Sequence, residues 1–149
     1  MSKMPPLSPS LSVHDAAAAI EFYKKAFDAT ELYRLVDPEN GKIGHAEIMI
    51  NGVLVMLADE YPGASQSPKT LGGTTVKLGL ITSDARALVE RAVKAGAEIV
   101  FAVTDQFYGH RAGRVRDPFG HEWIIAQVLE ELTPEEMQRR WDAMVASAK

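Results

Sequence analysis

The sequence predicts an α+β fold in which one βαβββ module occurs twice and is followed by a C-terminal helix. Gly109–Ala126 combines an alternating segment, an Asp-Pro-Phe-Gly turn and an apolar, β-branched segment, a pattern typical of a β-hairpin. Gly44–Ala58 has the same pattern around an Asn-Gly turn. Asp15 and Asp84, which precede the predicted helices of the two modules, lie 69 residues apart. Two copies of a segment of this length indicate a duplicated supersecondary unit.

The first module is predicted to start with a short strand and an amphipathic helix. Asp15 is a suitable N-cap for a helix from about 15 to 27. Phe22, Tyr23 and Phe27 fall on one face at helical spacing, so we expect this face in the core. The strands of this module are predicted at Ser8–Val13, Glu31–Val36, Gly44–Ile50 and Val53–Ala58.

The second module is predicted to follow a linker. Asp59–Gly73 is rich in Pro, Gly and Ser and lacks periodicity, which is typical of a connecting segment. Asp84 can cap a helix over 84–95 that ends at Gly96. A loop is expected at Thr104–Gly109. The strands are predicted at Val76–Thr82, Ile99–Val103, Arg114–Arg116 and Trp123–Ala126.

The C-terminal segment is predicted to form a third helix from about 134 to 146. Thr133 at the N-cap, Pro134 at the first helical position and Glu136 at the third form a capping box. An apolar stripe along this helix needs a covering surface, either from the chain's own sheet or from a partner. The stripe consists of Met137, Trp141, Met144 and Val145.

Composition and charge limit the classes of function. A net charge of −4 argues against a nucleic-acid binder, and no apolar run reaches the ~20 residues of a membrane span. There is no cysteine, which excludes disulfides and thiolate ligands. Met1–Pro9 lacks the apolar region of a signal peptide, so we expect a cytoplasmic location. The predicted organisation is one domain, 1–149, with modules at 7–58 and 74–126, a linker at 59–73 and a helix at 133–146.

Several segments resemble the vicinal-oxygen-chelate superfamily of glyoxalase I, extradiol dioxygenases, and fosfomycin- and bleomycin-resistance proteins. The resemblance rests on the doubled module, on DPFGHEWIIA at 117–126 and on AAAAIEFYKKAFDA at 16–29. KIGHAEIMINGVLVMLADE and YGHRAGRVRDPFGHEW are more particularly similar to its PhnB-like branch. The resemblance implies two curled mixed sheets that form a cup around a small ligand.

The resemblance also implies where metal-dependent members hold their ion, on the first and fourth strands of the modules. Those positions correspond here to Ser8, Met56, Lys77 and Ile124. None of these side chains is an imidazole or a carboxylate, which are the ligands that a catalytic divalent ion requires. We therefore predict no cofactor at the usual metal site.

Polar residues on two predicted strands are candidates for ligand binding. His45 and Glu47 alternate on one strand and so share a face, as do Arg114 and Arg116 on another. If these faces line the cup, they suit a polar or anionic molecule, because guanidinium groups bind carboxylate or phosphate through two hydrogen bonds. The alternative is that each set forms a solvated face with cross-strand ion pairs.

Four further residues complete the predicted binding set. Tyr108 and His110 lie on the predicted loop into the strand of Arg114 and Arg116, and loops at the mouth of a rigid scaffold often carry binding groups. Met56 is a candidate at the cup, or alternatively adaptable packing. Trp123 is a candidate ligand platform, with a core or dimer-interface position as the alternative.

Two functions of different classes are considered, and the sequence favours the first. The first is a bleomycin-resistance-like protein that binds a small molecule, without the usual metal site. The second is a metal-dependent lyase, isomerase or dioxygenase, with His45 and Glu47 as ligands of a divalent ion. No catalytic residue is assigned in either case. A homodimer is also predicted, in which a partner completes or walls each cup and Trp141 lies at or near the interface.

Overall fold

The computed structural model describes residues 4–149, so only part of the Met1–Pro9 segment lies within it. The first module follows the predicted order of one strand, one helix and three strands. Its elements are β1 (Ser10–Val13), α1 (Ala16–Phe27), β2 (Thr30–Val36), β3 (Ile43–Ile50) and β4 (Val53–Asp59). The rest of the chain comprises α2 (Pro68–Leu71), β5 (Lys77–Ile81), α3 (Ala85–Ala95), β6 (Glu98–Asp105), β7 (His110–Arg116), β8 (Glu122–Val128) and α4 (Pro134–Ser147).

Each module forms one four-stranded mixed sheet. The strand orders are β1-β4-β3-β2 and β5-β8-β7-β6, so the four strands of each module follow the same order in their sheet. The first strand of each module pairs in parallel with the fourth, and the other pairs are antiparallel. The predicted α+β fold with a duplicated βαβββ module is confirmed.

The three predicted helices start at their predicted caps. The carboxylates of Asp15 and Asp84 accept hydrogen bonds from the backbone N–H three residues later, both at 3.1 Å. Thr133 caps α4 in the same way, through Glu136 N–H at 3.1 Å. Only this half of the predicted capping box is formed, because the Glu136 carboxylate accepts from Arg140 Nε at 3.0 Å. Local capping thus determines where each helix begins.

The two modules share one core. Tyr23 and Phe27 of α1 pack against Trp123 of the second module, with ring centroids 5.5 and 4.8 Å apart. The buried carboxylate of Asp117 accepts from Tyr23 Oη at 2.5 Å and from Trp123 Nε1 at 2.9 Å. The predicted core face of α1 is therefore the face that joins the modules.

The predicted linker contains structure that the sequence pattern did not indicate. Asp59 ends β4, and its two carboxylate oxygens accept from the N–H groups of Ala16 and Ile43, both at 2.7 Å. Further along, Ser67 caps the short helix α2 through the N–H of Thr70. Proline, glycine and serine are typical of loops, but here Pro68 stands at a helix N-terminus, where its missing N–H is no loss.

Two strands of the second module extend beyond their predicted ends. β6 reaches Asp105 and β7 begins at His110, because Asp105 pairs with Arg111 across the ladder and forms an ion pair at 2.7 Å. The connecting loop is therefore shorter than the predicted Thr104–Gly109.

None of the helices within residues 4–149 combines the length and the hydropathy that a membrane-spanning helix requires.

Candidate functional site

The first sheet carries a polar cluster on the side away from α1, which we call the first helix-free face. Along β3, Ala46, Ile48 and Ile50 are buried in the core with α1. Side chains alternate along a strand, so His45 and Glu47 point to the opposite side. The register places Tyr33 of β2 beside Glu47 and Leu35 beside His45. The predicted sharing of a face by His45 and Glu47 agrees with this register.

Three side chains of this face form one hydrogen-bonded cluster, Tyr33–Glu47–His45. Glu47 is only 7% exposed, and its Oε2 accepts from Tyr33 Oη at 2.6 Å. The Nε2 atom of His45 lies 2.9 Å from the same oxygen. The hydrogen bonds from His45 and Tyr33 lower the pKa of Glu47, and the bond to Glu47 raises the pKa of Tyr33. The carboxylate is therefore ionised at neutral pH.

The predicted metal positions do not supply metal ligands in the structure. Met56 pairs with Glu47 across the ladder, on the helix-free side, and Ser8 donates to the Leu54 carbonyl at 2.5 Å. Among the described residues, no group of three or more His, Asp or Glu side chains could hold an ion. Thioether and hydroxyl groups do not fit the ion of metal-dependent relatives. His45 and Glu47 provide two donors, which already bond each other.

The second sheet has a cavity of about 450 Å³ on its own helix-free face. Val115 and Trp123 are buried on the α3 side, so Arg114 and Ile124 lie on the other side. We call this space the Arg114 cavity. It is lined by Phe101, Ala102, Thr104, Gln106, Tyr108, Ala112, Gly113, Arg114 and Ile124.

Arg114 is held in this cavity with part of its guanidinium group unused. Its guanidinium carbon lies 4.9 Å from the centre of the Phe101 ring. Glu122 approaches Nη1 at 3.5 Å. The Nε atom is buried and has no hydrogen-bond partner within residues 4–149. A buried donor without a partner costs free energy. The rest of the side chain is 27% exposed, so the outer N–H groups of the guanidinium can reach an acceptor.

Arg116 differs from Arg114 although both were predicted to bind ligand. Its guanidinium pairs with Glu98 at 2.7 Å and with Glu122 at 3.2 Å. These bonds raise the pKa of Arg116, the bond with Glu98 contributing most. These contacts of Arg116 agree with the alternative stated for the sequence, a solvated face with cross-strand ion pairs.

Tyr108 and His110 are neighbours near the Arg114 cavity. Their rings are 5.1 Å apart, and Tyr108 lines the cavity. The adjacent Phe107 packs on Trp141 of α4 at 5.3 Å, and Arg140 donates to the Phe107 carbonyl at 3.3 Å. The C-terminal helix therefore supports the loop that presents Tyr108.

Trp123 lies away from both helix-free faces. It is 2% exposed and packs between Tyr23 and Phe27, with its indole N–H on Asp117. This placement agrees with the predicted alternative, in which Trp123 belongs to the core. Its role as a ligand platform stays an untested prediction.

The structure thus groups the predicted residues by sheet rather than in one site. His45, Glu47 and Met56 lie on the first helix-free face, whereas Arg114 and Tyr108 line the cavity of the second sheet. Sequence reasoning missed two neighbours of these groups, Tyr33 and Phe101. In the sheet register, Tyr33 pairs with Glu47 and Phe101 pairs with Arg114. Both pairings adjoin a bulge in the edge strand, so the sequence pattern did not indicate them.

Comparison with known proteins agrees with this architecture. The chain belongs to the Glyoxalase/Bleomycin resistance protein/Dioxygenase superfamily, whose family model matches residues 7–125. The resemblance found in the sequence is thereby confirmed. The PhnB protein from Bacillus cereus, a putative 3-demethylubiquinone-9 3-methyltransferase, shares the fold at a TM-score of 0.63 and 18% identity, over 83% of this chain and 100% of its own.

Several relatives are more similar in sequence. An uncharacterized protein of Mycobacterium bovis is 49% identical over 138 residues, which are 90% of each chain. A solved structure of an Arabidopsis thaliana gene product has 31% identity and a TM-score of 0.68, covering 83% of this chain and 99% of its own. TioX from Micromonospora has 27% identity and a TM-score of 0.65, covering 85% and 100%.

Proposed function

We propose that this protein binds a small anionic molecule in the Arg114 cavity, without the metal ion of the metal-dependent members of its superfamily. The guanidinium group of Arg114 carries the proposal, because it lines the cavity, its side chain is 27% exposed and its ion pair with Glu122 is long, at 3.5 Å. A carboxylate can accept hydrogen bonds from two guanidinium N–H groups together. Such a pair of charge-assisted hydrogen bonds is stronger than a single neutral one.

The surroundings of Arg114 support a flat, partly apolar ligand. Phe101 and Ile124 give the cavity apolar surface, while Tyr108 adds a hydroxyl group. Ala112, which lies on the same side of β7 as Arg114, contributes only a methyl group to the lining. A volume of about 450 Å³ is within the range of small-molecule sites. An aromatic or short-chain carboxylate satisfies these conditions.

Benzoate is a suitable probe of this site, with neutral benzamide as its isosteric control. We expect benzoate to shift the backbone amide NMR signals of Ala112 and Gly113, and benzamide to leave them unchanged. Arg114→Gln should weaken benzoate binding at least tenfold, because the charge and the fork of donors are both lost.

Arg116→Gln is the matched control, since Arg116 lies on the same strand but is already paired with glutamates. It should leave benzoate affinity within about twofold. Equal loss in both variants, or equal binding of benzamide, would refute a specific carboxylate site at Arg114.

The metal-dependent alternative has weaker support. His45 and Glu47 supply only two donors, and Nε2 and Oε2 are directed at each other. We expect protein purified without chelator to contain substoichiometric zinc, nickel, iron and manganese by mass spectrometry. Stoichiometric metal that is lost in Glu47→Ala would reverse the choice between the two functions.

A further inference from the structure

We propose that His45 is a general base, that Glu47 orients its imidazole ring, and that Tyr33 positions the carboxylate. This Tyr33–Glu47–His45 cluster lies on the first helix-free face and is independent of the Arg114 cavity of the second sheet. The inference therefore stands or falls separately from the proposed anion binding.

The contact with Glu47 determines which nitrogen of His45 can accept a proton. An ionised carboxylate only accepts hydrogen bonds, so the Nε2 atom at 2.9 Å carries the hydrogen. In neutral imidazole the lone pair is then on Nδ1. This atom forms no hydrogen bond to any residue within 4–149, and the side chain is 34% exposed. Nδ1 is therefore open to a substrate.

The orientation of the ring is restrained from two directions. The Tyr33 ring lies 5.8 Å from the imidazole, centre to centre, while its hydroxyl holds Glu47 Oε2 at 2.6 Å. Glu47 is almost fully buried and cannot turn freely. A base held by a fixed carboxylate is the arrangement that activates histidine in acid–base catalysis, since the carboxylate stabilises the imidazolium that forms.

The neighbouring strands define the class of substrate. Leu35 stands opposite His45, and Met56 stands opposite Glu47. On β1, Ser10 pairs with Met56. The positions of β1, β2 and β4 that adjoin the cluster therefore add no charge to it, and its titratable groups are Tyr33, His45 and Glu47. With one carboxylate that, among residues 4–149, pairs with no Lys or Arg, the cluster favours a neutral carbon acid over an anion.

5-Nitrobenzisoxazole is a neutral, planar carbon acid that reports on such a base. Nδ1 takes the proton from C3, the electrons of the C–H bond complete a C≡N triple bond, and the N–O bond breaks. The electron pair of that bond goes to oxygen and gives the coloured 2-cyano-4-nitrophenolate. The imidazolium then returns its proton to water, so no oxidant or further reactant is needed.

We expect the full chain to convert this probe at least tenfold faster than the same concentration of free imidazole at pH 7.5. His45→Ala should lose this advantage, and added imidazole should restore part of it. Glu47→Gln should be at least tenfold slower than the wild type, and Tyr33→Phe a few-fold slower. Asp105→Asn, which removes a carboxylate from a surface pair with Arg111, should leave the rate unchanged.

A rate equal to that of free imidazole, or a His45→Ala variant as fast as the wild type, would overturn the proposal. Nitrogen-15 NMR of the imidazole supplies a second measurement, because it reports which ring nitrogen carries the hydrogen and so whether Nδ1 is available as a base. We expect the Nε2–H tautomer for His45 in the neutral form. An Nδ1–H tautomer would overturn the proposal as well, because the proposed base would then be occupied.

Discussion

At the scale of single residues, Asp117 joins the two modules. Its carboxylate accepts side-chain hydrogen bonds from Tyr23 and Trp123, and backbone hydrogen bonds from Phe119 and His121 at 2.9 and 3.0 Å. Asp117 is only 3% exposed, so each of these donors replaces water that the carboxylate has lost. The aspartate of the turn that was recognised in the sequence is thus the centre of a buried network.

Tyr23→Phe tests this network. We expect a loss of about 1–3 kcal/mol in the free energy of unfolding, because a buried carboxylate loses one of its donors. Urea unfolding measures it, with Tyr61→Phe as control, since the Tyr61 hydroxyl donates a longer hydrogen bond, 3.3 Å, to Asp37 in a partly exposed site. The control should lose less than about 1 kcal/mol. Equal losses in the two variants would contradict a special role for Asp117.

The same tyrosine predicts a dependence of stability on alkaline pH. Burial, and then the charge of Asp117, raise the pKa of Tyr23 well above its usual value of 10.0. The unfolded chain therefore releases this proton first, and stability falls as the pH rises above about 10. Tyr23→Phe should show a smaller fall between pH 9 and pH 11 than the wild type. An identical fall would show that Tyr23 does not contribute.

Glu31 predicts the opposite dependence at acidic pH. Its hydrogen bond with Arg34, together with Lys24, lowers its pKa from 4.5 to about 2. A lowered pKa means that the contribution to stability is complete above about pH 4.5 and is lost as the pH falls through about 2. Glu31→Gln should cost about 1 kcal/mol at pH 7 and nothing below pH 2. A difference that does not change with pH would contradict the ion pair as its cause.

At the scale of elements, the connection from β8 to α4 is built around the turn between β6 and β7. Leu129 and Glu130 donate their N–H groups to the Gly109 carbonyl at 2.9 and 3.1 Å. Arg140 of α4 then reaches the Phe107 carbonyl and Glu130. These bonds attach the C-terminal helix to the loop that carries Tyr108.

Gly109→Ala should break this attachment. The backbone there has φ +89°, and an added Cβ would lie 2.5 Å from the Glu130 carbonyl oxygen. Gly63→Ala is the matched control, with φ +83° and open space around the site. The control should cost about 1–2 kcal/mol from its φ alone, and Gly109→Ala clearly more. Urea unfolding of both variants measures the difference, and equal costs would contradict the close approach.

At the scale of the whole molecule, apolar surface remains uncovered on the helix-free faces and on α4. Leu35 and Phe101 are 58% and 61% exposed. The apolar stripe of α4 packs on Phe107 through Trp141 but remains 40–48% exposed at Trp141, Met144 and Val145. Surface of this kind is typical of protein–protein interfaces. The homodimer, the completion of each cup by a partner and the cytoplasmic location stay predictions.

Sedimentation at micromolar concentration tests the homodimer. We expect a dimer, because a two-fold arrangement presents each exposed stripe to an equivalent surface. A clean monomer at 16.3 kDa would contradict it. Truncation after Glu130 should weaken the dimer, and a dimer that persists after truncation would remove α4 from the interface.

The sequence predicted the helices and hairpins because their signals are local. The N-caps Asp15, Asp84 and Thr133 lie within three residues of the N–H groups they bind. Each module carries its own caps and turns, so the same local signals predicted both copies of the module. The short helix α2 was missed, because its proline-rich segment is stabilised by contacts that the pattern does not contain, such as Glu60 with Ser67 and Thr70.

The sequence by itself determined the α+β class, the duplicated module and the starts of α1, α3 and α4, since side-chain periodicity and capping act over a few residues. The superfamily was indicated by the resemblance of segments such as 117–126 and 16–29 to its members. Only the tertiary structure decided which candidate side chains meet. Strand register brought Tyr33 to Glu47 and Phe101 to Arg114. It also gave Arg116 two glutamate partners at 2.7 and 3.2 Å, and Arg114 one at 3.5 Å. Register across bulged strands depends on the packing of the whole sheet, so no local pattern specifies it.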